Sequence, residues 1–246
     1  MSEASLALSL MLRQFESISS LSDADRIELA RIPLRVRRVE QGADAVVQYE
    51  KATESCILIS GVLCRYKIVA DSRRQILALH YAGDIPDMQS LYLGVMDHSL
   101  CALTPCVLAM MPHKSMKQAE RQQPHLAEVF GRYLLIDAAK FREWIANIGR
   151  RDALQRVAHL LCEAHVRMHV AGVATGGAFN LAISQKDFAD ATGLSPVHIS
   201  RTFRELKERG LVIRRGQLIE ILNWPDLQRV ADFDPTYLHL KPEAWP

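Results

Sequence analysis

Residues 184–210, SQKDFADATGLSPVHISRTFRELKERG, have the types and spacing of two short helices joined by a tight turn. Gly193 fits the turn, because a residue without Cβ adopts positive φ at little cost. Ser195 fits the N-cap of the second helix, and a proline follows it at the first helical position. The segment therefore predicts a helix-turn-helix over Gln185–Thr192 and Pro196–Arg209.

The second helix of such a motif places its N-terminal half in the major groove of DNA. Arg201 is predicted to read a base, because a guanidinium donates two hydrogen bonds to O6 and N7 of guanine. Ser200 can hydrogen-bond a neighbouring base, and Val197 can contact a thymine methyl group. Helix starts and hairpin tips suit phosphates. The predicted DNA-binding residues are Ser184, Gln185, Lys186, Ser195, Val197, His198, Ser200, Arg201, Arg204, Arg214 and Arg215.

Residues 211–222, LVIRRGQLIEIL, predict a short hairpin directly after the second helix, with Arg214 and Arg215 at its tip. A hairpin in this position is a wing, and its arginines would face a phosphate backbone. Two alternatives remain open. The two helices could be an ordinary helical hairpin, and Arg201 could form a solvated salt bridge with Glu205, four residues further on.

A heptad pattern follows Pro124, with members alternately three and four residues apart. These members are Ala127, Phe130, Leu134, Asp137, Phe141, Trp144 and Ile148. They predict a helix over residues 124–148, about 37 Å long at 1.5 Å per residue, which Gly149 ends. The regular seam favours pairing with a second chain through Phe130, Leu134, Phe141, Trp144 and Ile148. The alternative is packing on its own domain.

The first third of the chain predicts a β-sandwich or barrel, because short apolar runs alternate with turn residues. The predicted strands are Arg35–Val39, Ser55–Ile59, Val62–Val69, Ile76–Tyr81 and Leu100–Met110, the last interrupted at Thr104. The predicted helices outside the motif and the seam are Leu6–Ile18, Ser22–Ala30 and Asp152–His169.

Composition excludes several classes of protein. The chain has 246 residues, 49% of them hydrophobic and 24% charged, as in globular proteins. Its longest uncharged runs are too short to span a membrane, and its N-terminus lacks the basic region of a secretory signal. Five unclustered cysteines indicate reduced thiols, so we expect a cytoplasmic protein without membrane association. A net charge of +2 still allows a local basic face for DNA.

The motif LSPVHISR at residues 194–201 resembles the Crp/Fnr family of bacterial transcription regulators. The strand pattern around Gly42, Gly61 and Gly83, the long helix and the winged motif extend the resemblance over nearly the whole chain. It implies an α+β fold with an N-terminal cyclic-nucleotide-binding-like β-roll (a double-stranded jelly roll), a long dimerisation helix and a C-terminal winged helix-turn-helix. The expected boundaries are residues 1–123, 124–149 and 150–246.

The resemblance implies a homodimeric, sequence-specific regulator, not an enzyme, which binds pseudo-palindromic double-stranded DNA and works with RNA polymerase. In the family, the position of Arg201 reads a guanine, and the position of Ser200 contacts a base in one branch. Many members have glutamate where this chain has Val197, which indicates a different half-site preference.

The residues argue against the two best-known cofactors of the family. Members that bind cyclic AMP use a Gly-Glu pair and an Arg-Ser pair, whereas this chain has Gly83 before Asp84 and no arginine between Arg74 and Arg121. Iron–sulfur members group cysteines near the N-terminus, where this chain has none before Cys56. We therefore predict neither cofactor.

Two functions of other classes remain open. One is a metal- or haem-dependent sensor, or a cupin-like metalloenzyme, that uses the β-roll histidines His80, His98 and His113 with Asp97. The other is a regulatory module that acts on protein partners. Any signal received by the β-roll is unidentified.

Overall fold

The computed structural model describes residues 2–174 and 176–244, apart from the side chains of Asp71 and Glu243. The helices are α1 Glu3–Glu16, α2 Asp23–Ala30, α3 His113–Gln122, α4 Pro124–Arg150, α5 Ala153–Val170, α6 Gln185–Thr192, α7 Pro196–Glu208 and α8 Trp224–Ala231. The strands are β1 Arg35–Val39, β2 Asp44–Val46, β3 Glu54–Ser60, β4 Leu63–Val69, β5 Arg73–His80, β6 Ser99–Ala102, β7 Cys106–Pro112, β8 Ala178–Asn180, β9 Val212–Arg215 and β10 Leu218–Ile221.

The first seven strands form a β-roll of two antiparallel sheets, with strand orders β2-β6-β4-β5 and β1-β7-β3. The predicted run Leu100–Met110 is two strands, β6 and β7, which lie in different sheets. Proline cannot donate to a ladder, so the chain changes sheet at Pro105. Gly61 joins β3 to β4 at φ +96°, and a Cβ there would lie 2.6 Å from the Cys106 sulfur.

Helix α4 continues through Gly149 to Arg150, so the predicted end at the glycine is wrong. Burial of the predicted seam also differs from residue to residue along this helix. Phe130 is 1% exposed and packs on Phe15, with ring centroids 5.4 Å apart. Trp144 is buried and donates from Nε1 to Glu163 at 3.1 Å.

Phe130 and Trp144 therefore belong to the interior of their own chain, and their assignment to a dimer seam is corrected. The physical reason is that α1 and α5 of the same chain cover Phe130 and Trp144, which a heptad spacing does not show. Leu134, Phe141 and Ile148, on the same stripe of the helix, are only half-buried.

The C-terminal third forms a winged helix-turn-helix, in which strands of order β8-β10-β9 pack beside α5 to α8. Residues 232–244 then return to the N-terminal helices. The Tyr237 hydroxyl donates to Glu163 at 2.8 Å, and the Lys241 backbone N–H donates to the Ser17 carbonyl at 2.8 Å. One hydrophobic cluster contains residues of both the β-roll and the winged helix-turn-helix, so in the described part of the chain no gap in the packing marks a boundary between them. The predicted domain boundaries therefore stay a prediction.

Candidate nucleic-acid interface

The two helices of the predicted motif begin and end on local signals. Ser184 and Asp187 form a reciprocal capping box at the start of α6. Gly193 ends α6 with φ +68°, the left-handed conformation that the sequence predicted. Ser195 caps α7 by accepting from the His198 N–H, and its hydroxyl is 3.0 Å from Nδ1 of the same histidine. These caps define where each helix begins and where α6 ends.

The two helices pack through a small apolar contact. Phe188 on α6 and Phe203 on α7 meet edge to face, with ring centroids 5.1 Å apart. Ala189 is buried where α6 packs, and Ile199 and Leu206 face the core from α7. This packing leaves the opposite side of α7 in solvent.

The solvent side of α7 presents Val197, Ser200, Arg201 and Arg204 along one stripe. Within residues 2–174 and 176–244, neither Arg201 nor Arg204 has an ion-pair partner. Glu205 pairs with Arg209 instead, so the alternative salt bridge to Arg201 is contradicted. Two guanidiniums are therefore free to donate hydrogen bonds outward from a convex helix, as base reading in a groove requires.

The remaining predicted contacts surround this stripe, and all but one are exposed. Those on the surface are Ser184, Gln185, Lys186, Ser195, His198 and Arg215. Arg215 lies at the wing, 3.6 Å from Glu220. The exception is Arg214, which turns inward between two rings. Arg214 is half-buried, and its Nε and Nη2 donate to backbone carbonyls within the chain, so its predicted phosphate contact stays a prediction.

The β-roll contacts the helix-turn-helix directly at α6, which the sequence did not indicate. Arg74 on β5 bonds Asp187 at 2.5 Å and Asp190 at 2.8 Å. The Gln75 side chain also donates to the Asp190 carbonyl at 2.9 Å. No local pattern could predict these pairs, because the partners are distant in sequence and meet only in the fold.

A cavity of about 610 Å³ lies between the β-roll and α4. Arg65 in its wall is 2% exposed and bonds Asp137 at 2.8 Å, and Lys140 lies 3.1 Å from the other oxygen of that carboxylate. Burial alone would raise the pKa of Asp137, but the two cations hold it well below its usual range. The Arg65 guanidinium also lies 4.8 Å from the Phe141 ring.

The β-roll histidines have separate partners. His98 bonds Asp97 at 2.7 Å, whereas Nε2 of His113 lies 3.0 Å from the Ser90 hydroxyl. His80 is fully buried, and burial lowers its pKa to about 4. No group of three His, Cys, Asp or Glu placed for a metal was found in the part of the chain that the structure describes.

The β-roll, the long helix and a winged helix-turn-helix with a basic exposed stripe together define a DNA-binding transcription regulator. Residues 36–123 match the model of the cyclic nucleotide-binding domain, and residues 155–230 match that of the Crp-like helix-turn-helix domain. The chain belongs to the Crp/Fnr family, which confirms the resemblance.

Relatives and solved structures agree with this assignment. The chain is 27% identical over 214 residues to a probable transcriptional activator of Rhizobium leguminosarum bv. viciae, covering 86% of this chain and 87% of the relative. It is 28% identical over 173 residues to the nitrogen fixation regulation protein FixK of Rhizobium meliloti, covering 69% of this chain and 74% of the relative.

The structure of FixK2 from Bradyrhizobium japonicum matches with a TM-score of 0.73 at 22% identity, over 81% of this chain and 98% of that chain. The predicted fold class, a β-roll with a winged helix-turn-helix, is thus confirmed. None of the helices in the described ranges combines the length and apolar character of a membrane span.

Proposed function

We propose that the chain regulates transcription as a homodimer on a pseudo-palindromic DNA site, with α4 as the dimer contact and a signal received at the β-roll cavity. The observation that supports the dimer is an uncovered apolar stripe on α4. Leu135 and Ile145 are 71% and 72% exposed, about three turns apart on one side of the helix. Covering each large apolar side chain contributes about 1.5–3 kcal/mol.

The corrected stripe contains Leu134, Leu135, Ala138, Phe141, Ile145 and Ile148. It keeps three residues of the predicted seam and replaces the two that lie inside the chain. A second copy packed here in parallel would place two α7 helices on one face of the dimer. Half-sites one DNA turn apart, about 34 Å, fit such an arrangement.

The stripe adjoins the cavity, which supports a link between signal and dimer. Leu134, Ala138 and Phe141 belong to the stripe and also line the cavity. A molecule in the cavity would therefore touch the helix that the partner covers. Any change in how α4 packs would alter the distance between the two recognition helices.

Cyclic AMP is a poor fit to this cavity on charge grounds. Arg65 is already paired with Asp137 and donates to the Pro86 carbonyl, and Lys67 lies 3.9 Å from Asp97. A cyclic phosphate would have to compete with these acids for its counter-charge. We propose that neither cyclic AMP nor an iron–sulfur cluster is the signal. Saturable calorimetric binding of cyclic AMP by the purified protein would refute the first part.

One relative is a probable transcriptional activator. For this chain we propose contact with RNA polymerase, action in the cytoplasm and no catalytic role.

The dimer is tested by charge insertion on α4. Leu135→Glu with Ile145→Glu should convert dimers into monomers in light scattering, because each glutamate would be buried against its symmetry mate. Ile27→Glu is the matched control, since Ile27 is an exposed isoleucine on α2, 55% exposed and outside the stripe. A dimer that persists in the double variant would refute the α4 contact.

The DNA site is tested by selection from random duplexes with the wild-type protein. We expect two inverted half-sites whose centres lie about one helical turn apart. Enrichment of a single unpaired half-site would contradict dimeric binding while leaving sequence-specific binding intact.

A further inference from the structure

Arg214 lies in β9, one residue from the wing turn, and its guanidinium points into the domain. Nη2 donates to the Ile183 carbonyl at 2.8 Å, and Nε donates to the Gly216 carbonyl at 3.2 Å. The guanidinium carbon is 5.0 Å from the ring centroids of both Phe188 and Phe203. The side chain is half-buried, and this burial lowers the pKa of the arginine.

These four contacts reach the three elements of the DNA-binding surface, which are α6, α7 and the wing. Ile183 directly precedes the N-cap of α6, Phe188 lies within α6, Phe203 lies within α7, and Gly216 forms the wing turn. A planar guanidinium can stack on aromatic faces while its N–H groups donate in the ring plane. An ammonium group has no such plane, so lysine could not make all four contacts at once.

We propose that Arg214 is a positioning residue that fixes the wing and both helices relative to one another, and that it acts on base reading without contacting DNA. The proposal rests on DNA binding by α7. Base reading needs α7 side chains placed to a fraction of an ångström, whereas phosphate attraction tolerates displacement. Loss of the Arg214 contacts should therefore lower specific binding far more than non-specific binding.

The adjacent Arg215 provides the matched comparison, because it is exposed at the same turn and only an exposed pair with Glu220 competes with a phosphate for it. The experiment uses full-length wild type, Arg214→Gln, Arg214→Lys and Arg215→Gln. Fluorescence anisotropy would measure Kd for the duplex selected by the wild type and for a scrambled duplex of equal length. Each titration would be repeated between about 50 and 200 mM salt, the range in which phosphate contacts strongly alter affinity.

Arg215→Gln should weaken both duplexes alike and lower the slope of log Kd against log salt by about 1, as loss of one phosphate contact does. Both Arg214 variants should keep the wild-type slope and lower the ratio of specific to non-specific affinity by about tenfold, equivalent to 1.4 kcal/mol in the positioning of α7. A loss of folded protein alone would weaken both duplexes equally and leave that ratio unchanged.

Two results would overturn the proposal. One is a slope reduced by about 1 in Arg214→Gln with equal weakening of both duplexes, which would make Arg214 a phosphate contact. The other is full recovery of the affinity ratio in Arg214→Lys, which would show that a point charge suffices. Circular dichroism melts establish folding, and if the glutamine variant does not fold, the lysine variant decides. A wild type that binds both duplexes equally would instead refute sequence-specific DNA binding itself.

Discussion

Arg65 in the β-roll and Arg201 on α7 are the same residue type in opposite settings. Arg65 is 2% exposed and bonds Asp137, so its charge is matched inside the chain. Arg201 is exposed and has no ion-pair partner among the residues that the structure describes. A buried pair is held by the fold and supports it, whereas an unmatched exposed arginine is available to a partner outside the chain.

The largest expected effect comes from breaking the buried pair. Arg65→Ala should lower the free energy of unfolding by about 3–5 kcal/mol, because it leaves the Asp137 carboxylate buried with less counter-charge. Urea denaturation measures this value. Arg35→Ala is the control, since Arg35 is 64% exposed and its pair with Glu54 should contribute no more than about 1 kcal/mol. Equal losses in both variants would contradict the contrast between buried and exposed arginines.

The second effect concerns a buried histidine near that pair. Burial lowers the pKa of His80 from 6.5 to about 4, so the unfolded chain binds a proton at a higher pH than the folded chain does. Its stabilising contribution is therefore present above pH 6.5 and is lost as pH falls towards 4, by about 3 kcal/mol in total. His80→Gln should flatten this part of the stability profile in urea melts. Burial also lowers the pKa of His98 to about 4, and its contribution to the pH dependence of stability should be the same in His80→Gln as in wild type.

An unchanged profile in His80→Gln would contradict the assigned titration. Asp87 acts in the opposite direction, because burial raises its pKa to about 6. Its contribution is present below the ordinary value of 3.8 and is lost as pH rises through about 6. This contribution is common to wild type and variant, so the difference between their profiles reports His80 together with its pair to Asp84, 3.7 Å away.

The third effect is one of specificity rather than stability. Arg201→Ala should reduce discrimination at one base pair by about 1–3 kcal/mol, because two hydrogen bonds to a guanine are lost. Binding to single-base variants of the selected site measures it, and the unfolding midpoint should not change. Arg209→Ala, at the other end of α7, is expected to leave base preference as in wild type. If base preference is equally unchanged in Arg201→Ala, the residue does not read a base.

The comparison also explains what the sequence could predict. Gly193, Ser195 and the alternating polar and apolar residues of α7 act on their immediate neighbours, so the helix-turn-helix and its exposed face were predictable. The interior pair was not, because Arg65 and Asp137 are 72 residues apart. The inward turn of Arg214 likewise depends on two phenylalanines that only tertiary packing brings together.

The difference in burial along α4 had the same origin. The heptad spacing correctly predicted a long apolar helix, but spacing alone cannot say which partner covers which face. Phe130 packs on Phe15, which is far away in sequence, and Trp144 donates a hydrogen bond to Glu163 on the next helix. The residues left uncovered, Leu135 and Ile145, are visible only after those contacts are known.

The smallest expected effect tests whether Ser195, at the start of α7, only caps the helix or also contacts DNA. Ser195 accepts from the His198 N–H and also lies against its ring. Ser195→Ala should lower the free energy of unfolding by about 1 kcal/mol, whereas Ser195→Gly should lower it by only a few tenths, because glycine is itself a tolerable N-cap. Both variants remove the hydroxyl. If Ser195 contacts phosphate or orients His198, anisotropy titrations should show equal losses of DNA affinity in the two variants despite their unequal stability. Affinity losses that follow stability would mean that the serine serves the helix alone.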